Sequence, residues 1–181
     1  PLHLGQRLGH LKQDPRVFRA IVYDKGAWVL HMLRGLVGDE AFFTGARAFL
    51  ERHRYGKAGT EDLRASLEAV SGRDLGPYFE RWIYDTGLPT ILWSASTTRT
   101  AKGFHSTFEV RPQGLPGPLP LQLLATVADG QETRGVMLDP AGGSWTLDSA
   151  SEPRRLQVNE DRGLLARVER GLIPGPAALA E

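Results

Sequence analysis

The chain has 181 residues, which accommodates one large domain or two small ones. Hydrophobic residues make up 41% and charged residues 24%, the composition of an ordinary globular protein. Twenty-two basic against twenty-one acidic residues leave a net charge of +1, which gives no field to steer a nucleic acid and argues against such a partner. Cysteine is absent, so no disulfide holds the fold, and no apolar run approaches the roughly 20 residues that a membrane span requires.

The first half reads as helical. The chain opens PLHLGQRLGH, with neither methionine nor a signal-peptide pattern, and this start is expected of a piece or a processed product. The spacing predicts a first strong helix from Ile21 to about Val37, with Val22, Val29, Leu33 and Leu36 on one face and Trp28 and Met32 widening it. In this reading Tyr23 stands where the helix begins. Gly38 is the expected stop and Asp39 the expected cap of a second helix, whose buried stripe is Phe42, Ala46, Phe49 and Leu50. Arg52, His53, Arg54 and Lys57 gather at its end, where cations complement the helix dipole. Thr60 is read as the cap of a third helix, with Leu63, Leu67 and Val70 inward. A fourth, near residues 75–84, is patterned by Leu75, Tyr78, Phe79, Trp82 and Ile83. The short connections predict a compact bundle.

At Thr86-Gly87-Leu88-Pro89 the period changes. Phe104, Ser106, Phe108 and Val110 alternate with His105, Thr107 and Glu109, and Leu119, Leu121, Leu123, Ala125 and Val127 alternate likewise. Asp129-Gly130 carries a hairpin signal, and short apolar segments follow at Val136–Leu138, Trp145–Leu147 and Leu156–Val158. Gly114–Pro120 is a stiff loop. The expected architecture is α+β in two parts: helices over 1–88, an antiparallel β-sandwich over 89–170, and a flexible tail over 171–181.

The residues by themselves display no active site. Of the five histidines, His3 and His10 fall in a glycine-interrupted segment, His31 mid-helix, His53 at a helix end and His105 on the outward face of a strand. None has a second histidine three to five residues away, so no metal ligand is assigned in this chain. The spacings of a nucleophile elbow or a phosphate-binding glycine loop are also absent.

One stretch does carry a specific resemblance. Tyr23-Asp24-Lys25-Gly26-Ala27-Trp28-Val29-Leu30-His31-Met32-Leu33-Arg34 resembles the tyrosine motif of the aminopeptidase N family, the gluzincin zinc peptidases related to leukotriene hydrolase. Further matches follow in order: Gly38–Phe42, Ala58–Leu63, Phe79–Ile83 with Gly87–Pro89, and Gln157–Leu165. The resemblance implies that the helices are the C-terminal part of a thermolysin-like catalytic domain. It implies zinc as the cofactor, a peptide as substrate, and Tyr23 as the catalytic donor to the oxyanion formed when water attacks the scissile carbonyl. Lys25 and Gly26 would support the motif, Gly26 by allowing close backbone approach and Lys25 by pairing with a carboxylate elsewhere in the full enzyme.

The family's H-E-x-x-H, its distant glutamate and its G-x-M-E-N segment are missing here and would precede Tyr23. The chain is therefore expected to be a C-terminal portion that partners a missing N-terminal catalytic portion, binds no zinc itself and is inactive alone. Family habit favours an extracytoplasmic setting. The alternative is a non-catalytic peptide-binding or structural module.

Overall fold

A computed structural model of the chain describes Leu2 and residues 14–171. His3, His10 and the predicted tail beyond Gly171 lie outside the described residues. The chain divides into two compact units, Pro1–Gly87 and Leu88–Glu181. Among the described residues, no helix is long and apolar enough to cross a membrane.

The first unit is helical. Asp14 caps α1 (Pro15–Phe18), its carboxylate accepting the N–H groups of Arg16 at 3.0 Å and Val17 at 3.2 Å. The helix does not start at Ile21 as predicted. It enters at Pro15, whose missing N–H is no loss in a first turn, and runs through a π-helical segment, Arg19–Lys25, into α2 (Gly26–Val37). Tyr23 is thus a mid-helix residue and not a helix-start aromatic. Hydrophobic periodicity missed this because Pro15 to Arg19 presents no apolar stripe.

Gly38 ends α2 with φ +87°, and it, not Asp39, is the cap of α3 (Asp39–Arg52). Asp39 instead accepts a two-pronged hydrogen bond from Arg34 at 2.8 and 2.7 Å across the corner. That hydrogen bond holds the Asp39 carboxyl below its usual range and raises the Arg34 guanidinium. The cap of α4 (Thr60–Ser71) likewise moves by one residue, to Gly59, whose N–H donates to the Asp62 carboxylate at 2.8 Å. A short α5 (Gly76–Phe79) continues into a second π-helical segment, Glu80–Tyr84.

Val29, Met32, Leu33, Leu67, Leu75, Tyr78, Phe79 and Trp82 are the buried hydrophobic side chains of this unit. Two predicted core positions, Leu50 and Val70, are instead 67% and 40% exposed, each near the end of its helix and past the last packed turn. α3 packs tightly against α4 at Gly45. A Cβ there would lie 2.9 Å from Leu67 Cδ2, 3.1 Å from the Ser66 carbonyl and 3.2 Å from Leu67 Cα.

The second unit is a sandwich of two sheets, ordered β5-β2-β1-β7 and β4-β3-β6. Its strands are β1 (Thr90–Thr100), β2 (Gly103–Gln113), β3 (Leu119–Val127), β4 (Gly130–Leu138), β5 (Gly143–Ser149), β6 (Arg155–Val158) and β7 (Arg167–Arg170). The alternation holds on β2, where Ser106, Phe108 and Val110 are buried, and on β3, where Leu119, Leu121, Leu123 and Ala125 are buried. The hairpin signal lands at the β3–β4 turn, with Val127 opposite Gly130. All pairings are antiparallel except β7, which runs parallel to β1.

Gly45→Val should force the α3–α4 pair apart. A loss of about 1–3 kcal/mol is expected from overpacking, read as a lower denaturant midpoint at unchanged slope.

Candidate active site

The two π-helical segments carry the polar chemistry of the helical unit. Such segments are rare and recur at functional sites. The first, Arg19–Lys25, contains Tyr23 and Lys25, and the second, Glu80–Tyr84, contains Arg81 and Trp82. Tyr23 is 64% exposed, and among the described residues its ring meets the edge of one other ring, that of Phe18, with centroids 6.0 Å apart at 67°. Its hydroxyl has no hydrogen-bond partner among the described residues. The same side of the helix leaves Ala20, Ala27 and Leu30 exposed, at the three- and four-residue spacing that puts them in one row with Tyr23.

Lys25 stands two positions from Tyr23, so the two side chains do not face each other. Its environment is on the protein side. Partial burial pushes its pKa down, the nearby Arg81 guanidinium pushes the same way, and Asp85 opposes them. Asp85 is the centre of a small network. It accepts the Thr86 N–H at 2.6 Å and Arg81 Nη1 at 2.6 Å, and those two bonds, with smaller help from the charges of Arg81 and Lys25, hold its carboxyl below the usual range. Arg81 Nη1 also donates to the Thr86 carbonyl at 3.2 Å.

Arg81 and Asp85 escaped the sequence reading as functional neighbours of Lys25. Their signal was present as a cation and a carboxylate four residues apart. Gly26 sits in ordinary helical geometry, φ −58° and ψ −48°. Among the described residues, a Cβ there would meet only Leu2 Cδ2, at 4.0 Å, an ordinary contact.

The helix is held in place by Tyr78, whose hydroxyl donates to the Val29 carbonyl at 2.7 Å inside the core. Burial drives the Tyr78 phenol well above its usual pKa. Tyr84 donates to the Glu61 carboxylate at 2.6 Å, which raises its phenol as well.

Among the described residues no three histidine, cysteine, aspartate or glutamate side chains come together to hold an ion. His53 packs its ring on Phe49 at 5.2 Å and lies 3.9 Å from Asp62, and His105 is bonded to Asp148 at 2.6 Å. The described residues do not fit a zinc site.

Comparison with known proteins gives this geometry a context. Residues 1–82 match the family model described as the peptidase family M1 domain. An aminopeptidase N of Streptomyces lividans is 38% identical over 96 residues, 53% of this chain and 11% of that protein. The mitochondrial aminopeptidase 2 of Saccharomyces cerevisiae is 31% identical over 151 residues, 81% of this chain and 15% of that protein. Among solved structures, the aminopeptidase A of Legionella pneumophila in complex with aspartic acid superposes on 87% of this chain and 19% of its own. The TM-score is 0.68 at 15% identity, a likeness of fold. The chain thus spans well under a fifth of the length of those two curated relatives.

Tyr78 supplies a pH test. A phenol raised in the folded state favours the neutral form there, so its contribution is fully present below the unfolded value near 10 and is lost as pH rises beyond it. Above pH 10 the unfolding free energy should fall by about 1.4 kcal/mol per pH unit from this one group. Tyr78→Phe should remove that slope while lowering stability at pH 7 by about 1 kcal/mol. Denaturant titrations at pH 7, 10 and 11 measure both effects.

Proposed function

We propose that this chain, which belongs to the aminopeptidase N family of M1 peptidases, supplies the transition-state-stabilising tyrosine of a zinc-dependent aminopeptidase. The observation that carries the reading is Tyr23, which occupies the family's tyrosine motif, is 64% exposed and has a hydroxyl bonded to none of the described residues. A donor that is to meet charge appearing only during reaction should not already be satisfied by the protein's own acceptors.

In this reading the substrate is a peptide, and the bond broken releases its N-terminal residue. Water attacks the scissile carbonyl, negative charge gathers on the carbonyl oxygen, and Tyr23 donates a hydrogen bond to that oxygen. The phenol suits the role because it is a neutral, stiff donor with few rotatable bonds to freeze. Zinc, when bound in the full-length parent, supplies Lewis-acid polarisation and an activated water. Its ligands and the water-activating carboxylate belong to the N-terminal catalytic portion; the described residues of this chain do not form such a set. That portion is the partner that covers the exposed row of Ala20, Tyr23, Ala27 and Leu30, and the chain alone cleaves nothing.

Lys25 supports the motif from another side of the helix than Tyr23, with its charge within range of the opposite charge of Asp85 and the like charge of Arg81.

In the full-length parent, Tyr23→Phe should lower kcat by about 10²-fold, with zinc content unchanged and KM little altered. Turnover within a few-fold of the wild type would sink the oxyanion role, and lost zinc would show that the tyrosine supports the metal site instead.

A further inference from the structure

The connection between α3 and α4 holds a side chain that neither packing nor the peptidase reading explains. Tyr55 is 99% exposed, so its ring contributes no core. Its backbone is left-handed, with φ +60°, a conformation unfavourable to any residue with a Cβ and usually left to glycine at a helix end. A glycine is available one residue later, yet the left-handed position is given to the tyrosine. Local rules broken in this way concentrate where a side chain is presented for use.

The presentation is braced from behind. The Gly56 N–H donates to the His53 carbonyl at 2.9 Å, and the His53 ring rests on Phe49. The Arg54 guanidinium lies 5.8 Å from the Tyr55 ring centroid, loosely covering one face and leaving the other open. Arg52, Arg54 and Lys57 flank Tyr55 in the chain and are all exposed, and none makes an ion pair among the described residues. The helix dipole accounts for cations at the end of α3, but not for an aromatic ring held out among them.

We propose that this tip is a docking site for an acidic polypeptide segment. Carboxylates pair with the forked donors of Arg52 and Arg54, Lys57 adds a point charge, and an apolar side chain or proline ring stacks on the open face of Tyr55. Tyrosine and arginine are the residue types that carry binding energy in protein interfaces. A nucleic acid is disfavoured because stacking along a strand needs successive aromatic platforms in a positive groove, and this tip has one ring on a chain of net charge +1. A lipid surface is disfavoured because lipid-binding basic clusters hold about four to eight cations, more than the three here.

The test uses the full 181-residue chain and a fluorescein-labelled peptide of five Glu-Pro repeats, read by fluorescence anisotropy at low salt. Binding should be saturable, weaken as salt rises, and be absent for five Lys-Pro repeats. Tyr55→Gly relieves the left-handed strain, so it should melt at the same or a higher temperature while binding at least ~10-fold more weakly. Arg54→Glu should abolish binding without changing the melting temperature. No binding by the wild type, or unchanged affinity in Tyr55→Gly, overturns the proposal. Equal or tighter binding of single-stranded DNA or of phosphatidylserine vesicles overturns it in favour of those partners. None of these outcomes bears on Tyr23, which lies on a different helix.

Discussion

The buried hydrogen bond from Tyr78 to the Val29 carbonyl is the constraint on which the geometry of the helical unit turns. A helical carbonyl that already accepts the N–H four residues on has a second lone pair, so Tyr78 adds a tie without breaking the α2 ladder. The bond lies among Leu33, Phe79 and Trp82, each at most 1% exposed, where water cannot replace a lost partner. Val29 follows Tyr23 by less than two helical turns. Fixing Val29 in depth and rotation therefore fixes which side of the helix Tyr23 faces. A purely apolar contact would hold the helix nearby but would resist rotation less, because hydrophobic burial is not directional.

The polar residues around this tie fall into two groups by exposure. Arg34–Asp39, Arg64–Glu61 and Arg81–Asp85 are short ion pairs with at least one partner well exposed, and pairs of that kind contribute little net stability. Their effect is geometric. Arg34 and Asp39 close the corner at Gly38, and Arg81 with Asp85 closes the end of the second π-helical segment onto Thr86. The Nε atoms of Arg64 and Arg81 and the Trp82 indole N–H stay buried with no acceptor among the described residues. They are the places where this unit is least well satisfied.

Much of the sandwich was legible because a strand with one buried face writes its geometry directly into a two-residue alternation. β2 shows it over Ser106–Val110 and β3 over Leu119–Leu123. β1 and β7 were not read as strands, for a physical reason. The outer half of β1 is exposed on both faces, which leaves a short alternation at Ile91 and Trp93, and every residue of β7 is exposed. β7 is defined instead by its parallel backbone pairing to Thr90–Trp93 and by Arg170 over the Trp93 ring at 5.0 Å, long-range facts that no local pattern encodes. Helix existence was legible and helix ends were not. Caps shifted by one residue, to Gly38 and Gly59, because a glycine has no side chain to signal a cap; at Gly59 the Asp62 carboxylate takes the N–H, whereas Asp39 pairs with Arg34. For the candidate site, Tyr23, Lys25 and Gly26 were named from the motif, whereas Asp85 lies 60 residues downstream of Lys25 and needed the fold to bring its charge within range.

The four tyrosines separate the structural from the available. Tyr78 and Tyr84 have hydroxyls committed to a backbone carbonyl and to a carboxylate, and both are held more firmly protonated by what surrounds them. Tyr23 and Tyr55 are the two that are largely exposed, with hydroxyls bonded to none of the described residues. Such side chains gain nothing from burial, and Tyr55 adds a backbone cost. Their positions differ in a way that fits two different uses. Tyr23 stands on a long helix whose rotation is pinned by the core, as a donor aimed at one atom requires. Tyr55 stands at a loop tip beside unpaired cations, where an extended partner could reach it from several directions.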